Sequence, residues 1–255
     1  MSLTGEDWKE RQRLSFGAAA RVYERARPGY PAEAVALMTA PGARRVADVG
    51  AGTGKFTRVL VAAGLDVVAV EPDPRMRAEL ARVLPDVPVL PGTAEALPLG
   101  NGDVDGVVVA QAWHWVDPVR AVPEAARVLS PGGTLGVVWN ERTAGEPWVD
   151  ALEQLIRQPP QAERDVWELT AGPPFGPVER HELVWQQKLS PEAVVELVAS
   201  RSYAIALDPA DRERLLAAVR RLLDEHPDTA GRRTLCVPYR TLCFRAVRAA
   251  GPVTG

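Results

Sequence analysis

Between Arg44 and Asn140 the chain alternates Val-rich apolar runs with amphipathic segments, a pattern that few architectures accept. The runs Arg45 to Val49, Val67 to Val70, Val87 to Leu90, Asp105 to Ala110 and Thr134 to Trp139 read as strands that are apolar on both faces. Strands covered by helices on either side have this character. The intervening segments carry helix-start signals: Asp73-Pro74 and Asp117-Pro118 each set a capping carboxylate before a proline at the first helical position. Strands alternating with helices predict a doubly wound, mostly parallel α/β sheet, whose ligands bind beyond the carboxyl ends of the strands.

The flanks extend this core. Upstream, Leu14 to Arg25 and Pro31 to Ala40 read as two short helices of an N-terminal helical cap. Downstream, Glu179 to Lys188 reads as a strand, and helices start at Pro191 and Pro209 behind the caps Ser190 and Asp208. The second of these carries Leu215, Leu216, Val219, Leu222 and Leu223 at helical spacing, a stripe that should face a core. Thr234 to Val247 closes a seven-stranded sheet with a reversed last strand, and the Pro-rich stretch Gln158 to Pro177 reads as a loop. The expected organisation is one domain: a cap over residues 1–42, a core over 43–140, and sheet completion with C-terminal helices over 141–255.

A chain of 255 residues with 46% hydrophobic side chains can bury a sizeable core without crosslinks. Cys236 and Cys243 lie in one predicted strand, on opposite faces and about 23 Å apart at ~3.3 Å per residue, so they cannot bond to each other. No cysteine or histidine spacing suggests a metal site. Thirty basic against thirty-three acidic residues leave a formal charge of -3, which disfavours nucleic acid or an anionic membrane face as partner. The opening MSLTGEDWKERQR lacks the apolar core of a secretory signal, and no apolar run approaches the ~18 residues of a membrane span. A cytoplasmic monomer or homodimer is expected.

The first strand runs into Asp48-Val49-Gly50-Ala51-Gly52-Thr53-Gly54, directly before the helical Lys55 to Ala63. Alternate glycines let backbone approach a ligand at a helix amino terminus. A dinucleotide fingerprint would need a third glycine where the chain has Lys55 or Thr57. A phosphate-binding loop would need glycine at position 49 and Ser or Thr after the lysine, where the chain has Val49 and Phe56. The motif, an acidic residue followed by x-G-x-G-x-G, resembles instead the first motif of the class I S-adenosylmethionine-dependent methyltransferases. The resemblance continues at Glu71, at Gly92-Thr93-Ala94-Glu95-Ala96-Leu97-Pro98, at Gln111-Ala112-Trp113-His114-Trp115 and at Leu129-Ser130-Pro131-Gly132-Gly133, the last two similar to the type 11 branch.

This resemblance implies a Rossmann-like fold and an enzyme that passes the methyl group of S-adenosylmethionine to a small-molecule acceptor, leaving S-adenosylhomocysteine. The cofactor set it implies is Asp48, Gly50, Ala51, Gly52, Gly54, Glu71, Pro72, Thr93, Ala94, Glu95 and Gln111, with Glu71 accepting the ribose hydroxyls and Tyr23 and Tyr30 in a segment folding over the cofactor. Asp48 has an alternative role bonding loop amides, and Asp73 reads as a helix cap rather than a ribose ligand. Of the three histidines, His114 alone is placed for proton transfer, as a catalytic base or as an anchor of its loop. Trp113 and Trp115 read either as core packing or as walls of the acceptor site, and Trp139 and Asn140, with Glu141 beside them, are further candidates for the acceptor side, at the rim of the predicted site. Arg201 and Tyr203 lie in a tail loosely similar to relatives of trans-aconitate methyltransferase, where an arginine could hold an acidic metabolite bidentately. Two other readings share parts of this pattern: a non-catalytic S-adenosylmethionine-binding module and an NAD-dependent oxidoreductase.

Overall fold

The computed structural model describes residues 28–143, 145–156 and 169–250. The expected helix Leu14 to Arg25, with Tyr23 in it, lies outside the described residues, and of the upstream helices Pro31 to Ala40 is found as α1 (Glu33–Met38). Seven strands follow in the order β3-β2-β1-β4-β5-β7-β6 across one sheet. Central β1 (Arg45–Val49) pairs in parallel with β2 (Asp66–Val70) on one side and with β4 (Val104–Ala110) on the other. β2 pairs with β3 (Val89–Leu90), and β4 with β5 (Leu129–Arg142), also in parallel. From β1 the chain winds outward through β2 and β3, returns to β4, and winds the other way. The carboxyl ends of β1 and β4 therefore flank the point where the winding reverses, where doubly wound sheets hold ligands.

Alternate residues leave these strands on opposite faces, and each face has its own cover. Val107, Val109, Val137 and Trp139 pack with Ala121, Val122 and Ala125 of the helix Pro118–Val128, whereas Val108 and Val138 pack with Phe56, Leu60 and Met38. Helices on both faces explain the unbroken apolar runs of the strands. Four helix starts follow the capping chemistry: Asp73 accepts from the Arg75 and Met76 N–H groups at 2.7 and 3.2 Å, and Asp117, Ser190 and Asp208 accept from the Val119, Ala193 and Asp211 N–H groups. In chain order the helices after α1 are α2 (Lys55–Ala62), α3 (Pro74–Val83), α4 (Pro118–Val128), α5 (Pro147–Leu155), α6 (Pro191–Ala199), α7 (Ser202–Ala206) and α8 (Pro209–Glu225).

Some boundaries move for physical reasons. β3 is half its expected length, because the Val87 N–H bonds the Leu84 carbonyl and Pro88 has no N–H to give the ladder. β5 is longer than Thr134 to Trp139, so Asn140 and Glu141 lie inside the strand rather than after it. The extension pairs with β7 (Leu235–Val247): Gly132 and Gly133 exchange backbone bonds with Arg248, whereas Asn140 meets Thr241 and Thr143 meets Pro238. As one strand advances the other recedes, so β7 is reversed, as the sequence predicts. Cys236 is exposed and Cys243 buried on that strand, as alternation requires.

The described residues divide into two compact units. One holds residues 29–141, 169–183 and 240–250, with both faces of the central sheet. The other holds 142–143, 145–156 and 184–239, where α8 packs on α5 and α6 through Trp148, Leu152, Val194, Val198, Leu216 and Val219. Leu216, Val219 and Leu223 of the predicted stripe are buried, with Leu215 and Leu222 packed against them. Asp73→Ala should lower stability by about 1 kcal/mol, read as a lower urea midpoint with an unchanged slope; an unchanged midpoint would show that the cap contributes nothing.

Candidate functional site

The turn after β1 is built on backbone that only glycine adopts comfortably. Gly50 has φ +67°, and a Cβ added to it would sit 2.8 Å from the Ala112 Cβ, so the loops after β1 and β4 touch here. Gly52 has φ +57°, and a Cβ there would meet no protein atom within 4 Å. The first glycine serves packing between two loops. The second leaves a strip of main chain open for close approach. The Gly50 and Ala51 N–H groups both donate to the Val70 carbonyl, at 2.8 and 3.2 Å, tying the turn to the end of β2.

Glu71 stands at that end, buried at 7% exposure. Its two carboxylate oxygens accept from two different amides: Oε2 from the Gly52 N–H at 2.8 Å and Oε1 from the Asp73 N–H at 2.9 Å. The Arg77 guanidinium donates to the Glu71 and Pro72 carbonyls at 2.9 and 2.7 Å, holding the main chain on either side. Burial raises the Glu71 pKa against the pull of these two amides. Each oxygen keeps a second lone pair, so the carboxylate can accept from two more donors placed side by side, such as a vicinal diol.

Asp48 lies deeper. It is buried on the next-to-last residue of β1, Oδ2 accepts from the Thr57 hydroxyl at 2.6 Å, and Oδ1 has no hydrogen-bond partner among the described residues. Burial pushes its carboxyl up to about 7; the Thr57 bond opposes the shift and the Glu71 charge adds to it. Its partner is Thr57 of α2, through the hydroxyl and with the Thr57 backbone N–H also drawing on the carboxylate.

The third strand leads to Thr93–Leu97. Ala94 is buried there, Glu95 Oε1 accepts from the Asp117 N–H at 2.8 Å, and the Leu97 N–H is held by Glu124 at 2.8 Å. Gln111, after β4, has φ +57°, a strained conformation for a residue with a side chain. Its N–H donates to the Val138 carbonyl and its side-chain amide to the Asn140 carbonyl, both at 2.9 Å, fixing the loop. His114 follows in a 3-10 turn, its ring 4.4 Å from that of Trp115 and 5.3 Å from that of Trp139.

The family described as Methyltransferase domain matches residues 47–137. An uncharacterized methyltransferase of Mycobacterium tuberculosis is 50% identical over 236 residues, 92% of this chain and 96% of its own. The chain belongs to the class I S-adenosylmethionine-dependent methyltransferases. A structure from Anaeromyxobacter dehalogenans assigned as a type II methyltransferase superposes with a TM-score of 0.66 at 26% identity, over 87% of this chain and 97% of that one. A Haemonchus contortus phosphoethanolamine N-methyltransferase bound to S-adenosylhomocysteine shares the fold, with a TM-score of 0.52 at 16% identity, over 97% of this chain and 61% of that one.

Within this methyltransferase the candidates separate into groups. The loop Gly50 to Gly54, Glu71, Pro72, Ala94 and Gln111 all sit at or just beyond the carboxyl ends of β1 to β4. Trp113 and Trp139 are buried in the core, at 5% and 1% exposure, leaving Trp115 half-buried. Both ends of the Asn140 amide are committed: Nδ2 donates to the Gly29 carbonyl at 2.7 Å and Oδ1 accepts from the Thr241 hydroxyl at 2.6 Å. Tyr30 sets its ring edge-on to Phe56 of α2, at 4.9 Å and 79°. Arg201 and Tyr203 belong to the other unit, at the start of the short helix α7. Sequence reasoning missed the clamp by Arg77 and the Asp48–Thr57 bond, although Thr57 one turn into α2 was a readable signal.

Two outcomes test this geometry. Gly50→Ala and Gly52→Ala share the strain of about 1–2 kcal/mol for a left-handed residue, but only the first adds a clash, so it should lower the melting temperature further; equal losses would contradict the close approach to Ala112. The Asp48 pKa is higher folded than unfolded, so its contribution to stability should fall as pH rises from about 4 to about 7 and then level off. Asp48→Asn should flatten that part of the profile in thermal melts at pH 5 and pH 8; a slope identical to the parent's would show that Asp48 titrates normally.

Proposed function

We propose that this methyltransferase binds S-adenosylmethionine across the ends of β1, β2 and β3 and passes its methyl group to a small-molecule acceptor. The observation that carries the reading is the Glu71 carboxylate, aimed by the Gly52 and Asp73 amides beside the open backbone of Gly52. Bound S-adenosylmethionine supplies a methyl already activated on a cationic sulfonium, so the protein's task is alignment for in-line displacement rather than covalent catalysis. Glu71 takes the two ribose hydroxyls on its remaining lone pairs, and the strip at Gly52 admits the methionine arm. Ala94 offers an apolar patch and Glu95 a carboxylate near the adenine, and Thr93 stands in the same turn. We further propose that the 255 residues work as one methyltransferase domain, because β5, β6 and β7 belong to the same sheet as the cofactor strands.

His114 is the proposed general base for acceptors that must lose a proton, on the grounds of its place beyond β4 next to the strained Gln111. An acidic hydroxyl or a carboxylate would need no base, only positioning.

Calorimetry with S-adenosylhomocysteine tests the cofactor half. Glu71→Gln places an amide donor against one of two backbone donors, and should weaken binding by about tenfold or more, since a charge-assisted pair is worth ~1.5–3 kcal/mol. Equal affinity for parent and variant would take Glu71 out of the site. Once an acceptor is found, His114→Ala should lower kcat by about a hundredfold while leaving S-adenosylhomocysteine affinity nearly constant. Full turnover would leave His114 as packing against Trp115 and Trp139.

A further inference from the structure

Arg77 stands one turn into α3, where the ordinary electrostatics of a helix argue against a cation. The amino end of a helix carries partial positive charge; α3 has no acidic residue in its first turn, and its cap Asp73 is already bonded to the Arg75 and Met76 N–H groups. The Arg77 N–H donates to the Asp73 carbonyl at 3.0 Å, the first backbone bond of the helix, so its charge sits at that unfavourable end. A residue that breaks a local rule in this way needs a task. Its guanidinium turns back to main chain: Nη1 carries two hydrogens and donates to the Glu71 carbonyl at 2.9 Å and to the Pro72 carbonyl at 2.7 Å.

The residue it grips is the one proposed to receive the ribose. With that grip, every polar group of Glu71 is held: its N–H donates to the Leu90 carbonyl of β3 at 3.1 Å, its carbonyl accepts from Arg77, and its two carboxylate oxygens accept from Gly52 and Asp73. Pro72 has no N–H to give, so its carbonyl is the one main-chain group by which it can be tied down, and Arg77 takes that as well. Without Arg77 the two peptide planes that follow β2 are free to turn, and the Glu71 side chain turns with them. A vicinal diol engages both carboxylate oxygens at once, and a site of that kind must be held to within about 0.5 Å. Charge acts in the same direction. Burial raises the Glu71 pKa and the Asp73 charge adds to it, whereas the two amides and the Arg77 charge lower it, favouring the ionised form that accepts from both hydroxyls.

We propose that Arg77 is a positioning residue for ribose recognition: by gripping the Glu71 and Pro72 carbonyls it aims the Glu71 carboxylate at the two hydroxyls of the cofactor. The proposal rests on the reading of Glu71 as the ribose ligand and goes beyond it, since it assigns a task to a side chain that acts through Glu71.

Calorimetry on the full chain, with S-adenosylhomocysteine set against its 2′-deoxy analogue, separates aiming from mere support. The parent should prefer the diol by about tenfold or more. Arg77→Met keeps an apolar stem and loses every side-chain donor; it should cut that preference to about threefold or less, while the 2′-deoxy analogue still binds within about threefold of its affinity for the parent. Arg77→Lys keeps the charge but ends one atom short and lacks the planar fork, so its preference should lie between the two. It carries the test if thermal melts show Arg77→Met unfolded, and a preference equal to the parent's would then overturn the proposal. A parent-sized preference in a folded Arg77→Met, or an equal fall in affinity for both ligands, would reduce Arg77 to a tie between α3 and β2 and overturn it too. A parent that binds the two ligands alike would overturn the ribose role of Glu71 itself, an outcome seen before any variant is made.

Discussion

A carboxylate held by two backbone amides organises the functional end of this sheet. Glu71 receives the N–H of Gly52 from the turn after β1 and the N–H of Asp73 from the start of α3, so one side chain joins the two loops that follow β1 and β2. Each bond is charge-assisted and shielded from water, which makes the pair far stiffer than a surface contact. The link requires the loop after β1 to turn its amide inward, and that turn requires the positive φ at Gly50 and Gly52. Remove the carboxylate and two backbone donors, the Gly52 and Asp73 N–H groups, lose their partner.

The same end of the molecule concentrates unfavourable electrostatics. Asp48 and Glu71 are both buried carboxylates, burial raises the pKa of each, and the Glu71 charge adds to the cost of ionising Asp48. Gln111 adds backbone strain. Stability alone does not call for such a cluster; a site that must greet a cation and a diol does.

Much of this was legible in the sequence because it is local. Asp73, Asp117, Ser190 and Asp208 cap the helices that their neighbouring prolines announce, and Asp48-x-Gly-x-Gly-x-Gly specifies both a turn and a family. What escaped depends on partners far along the chain. Asn140 looked like an acceptor-side group because it follows Trp139, yet it bonds Gly29 and Thr241, separated from it by 111 and 101 positions. Trp139 looked like an acceptor-side group and is core, as is Trp113, for which both readings stood open, since no pattern of neighbours reveals how deep a strand end lies. α5 went unseen, although Pro147 marks its first turn, because the strand preceding it runs longer than its apolar run.

The most direct measurement is a crystal structure of the protein with S-adenosylhomocysteine. The account predicts both ribose hydroxyls on the Glu71 carboxylate, the homocysteine arm against the main chain at Gly52, and the Glu71 bonds to Gly52 and Asp73 intact. Ribose bound elsewhere, or a Glu71 side chain turned away from both amides, would contradict it.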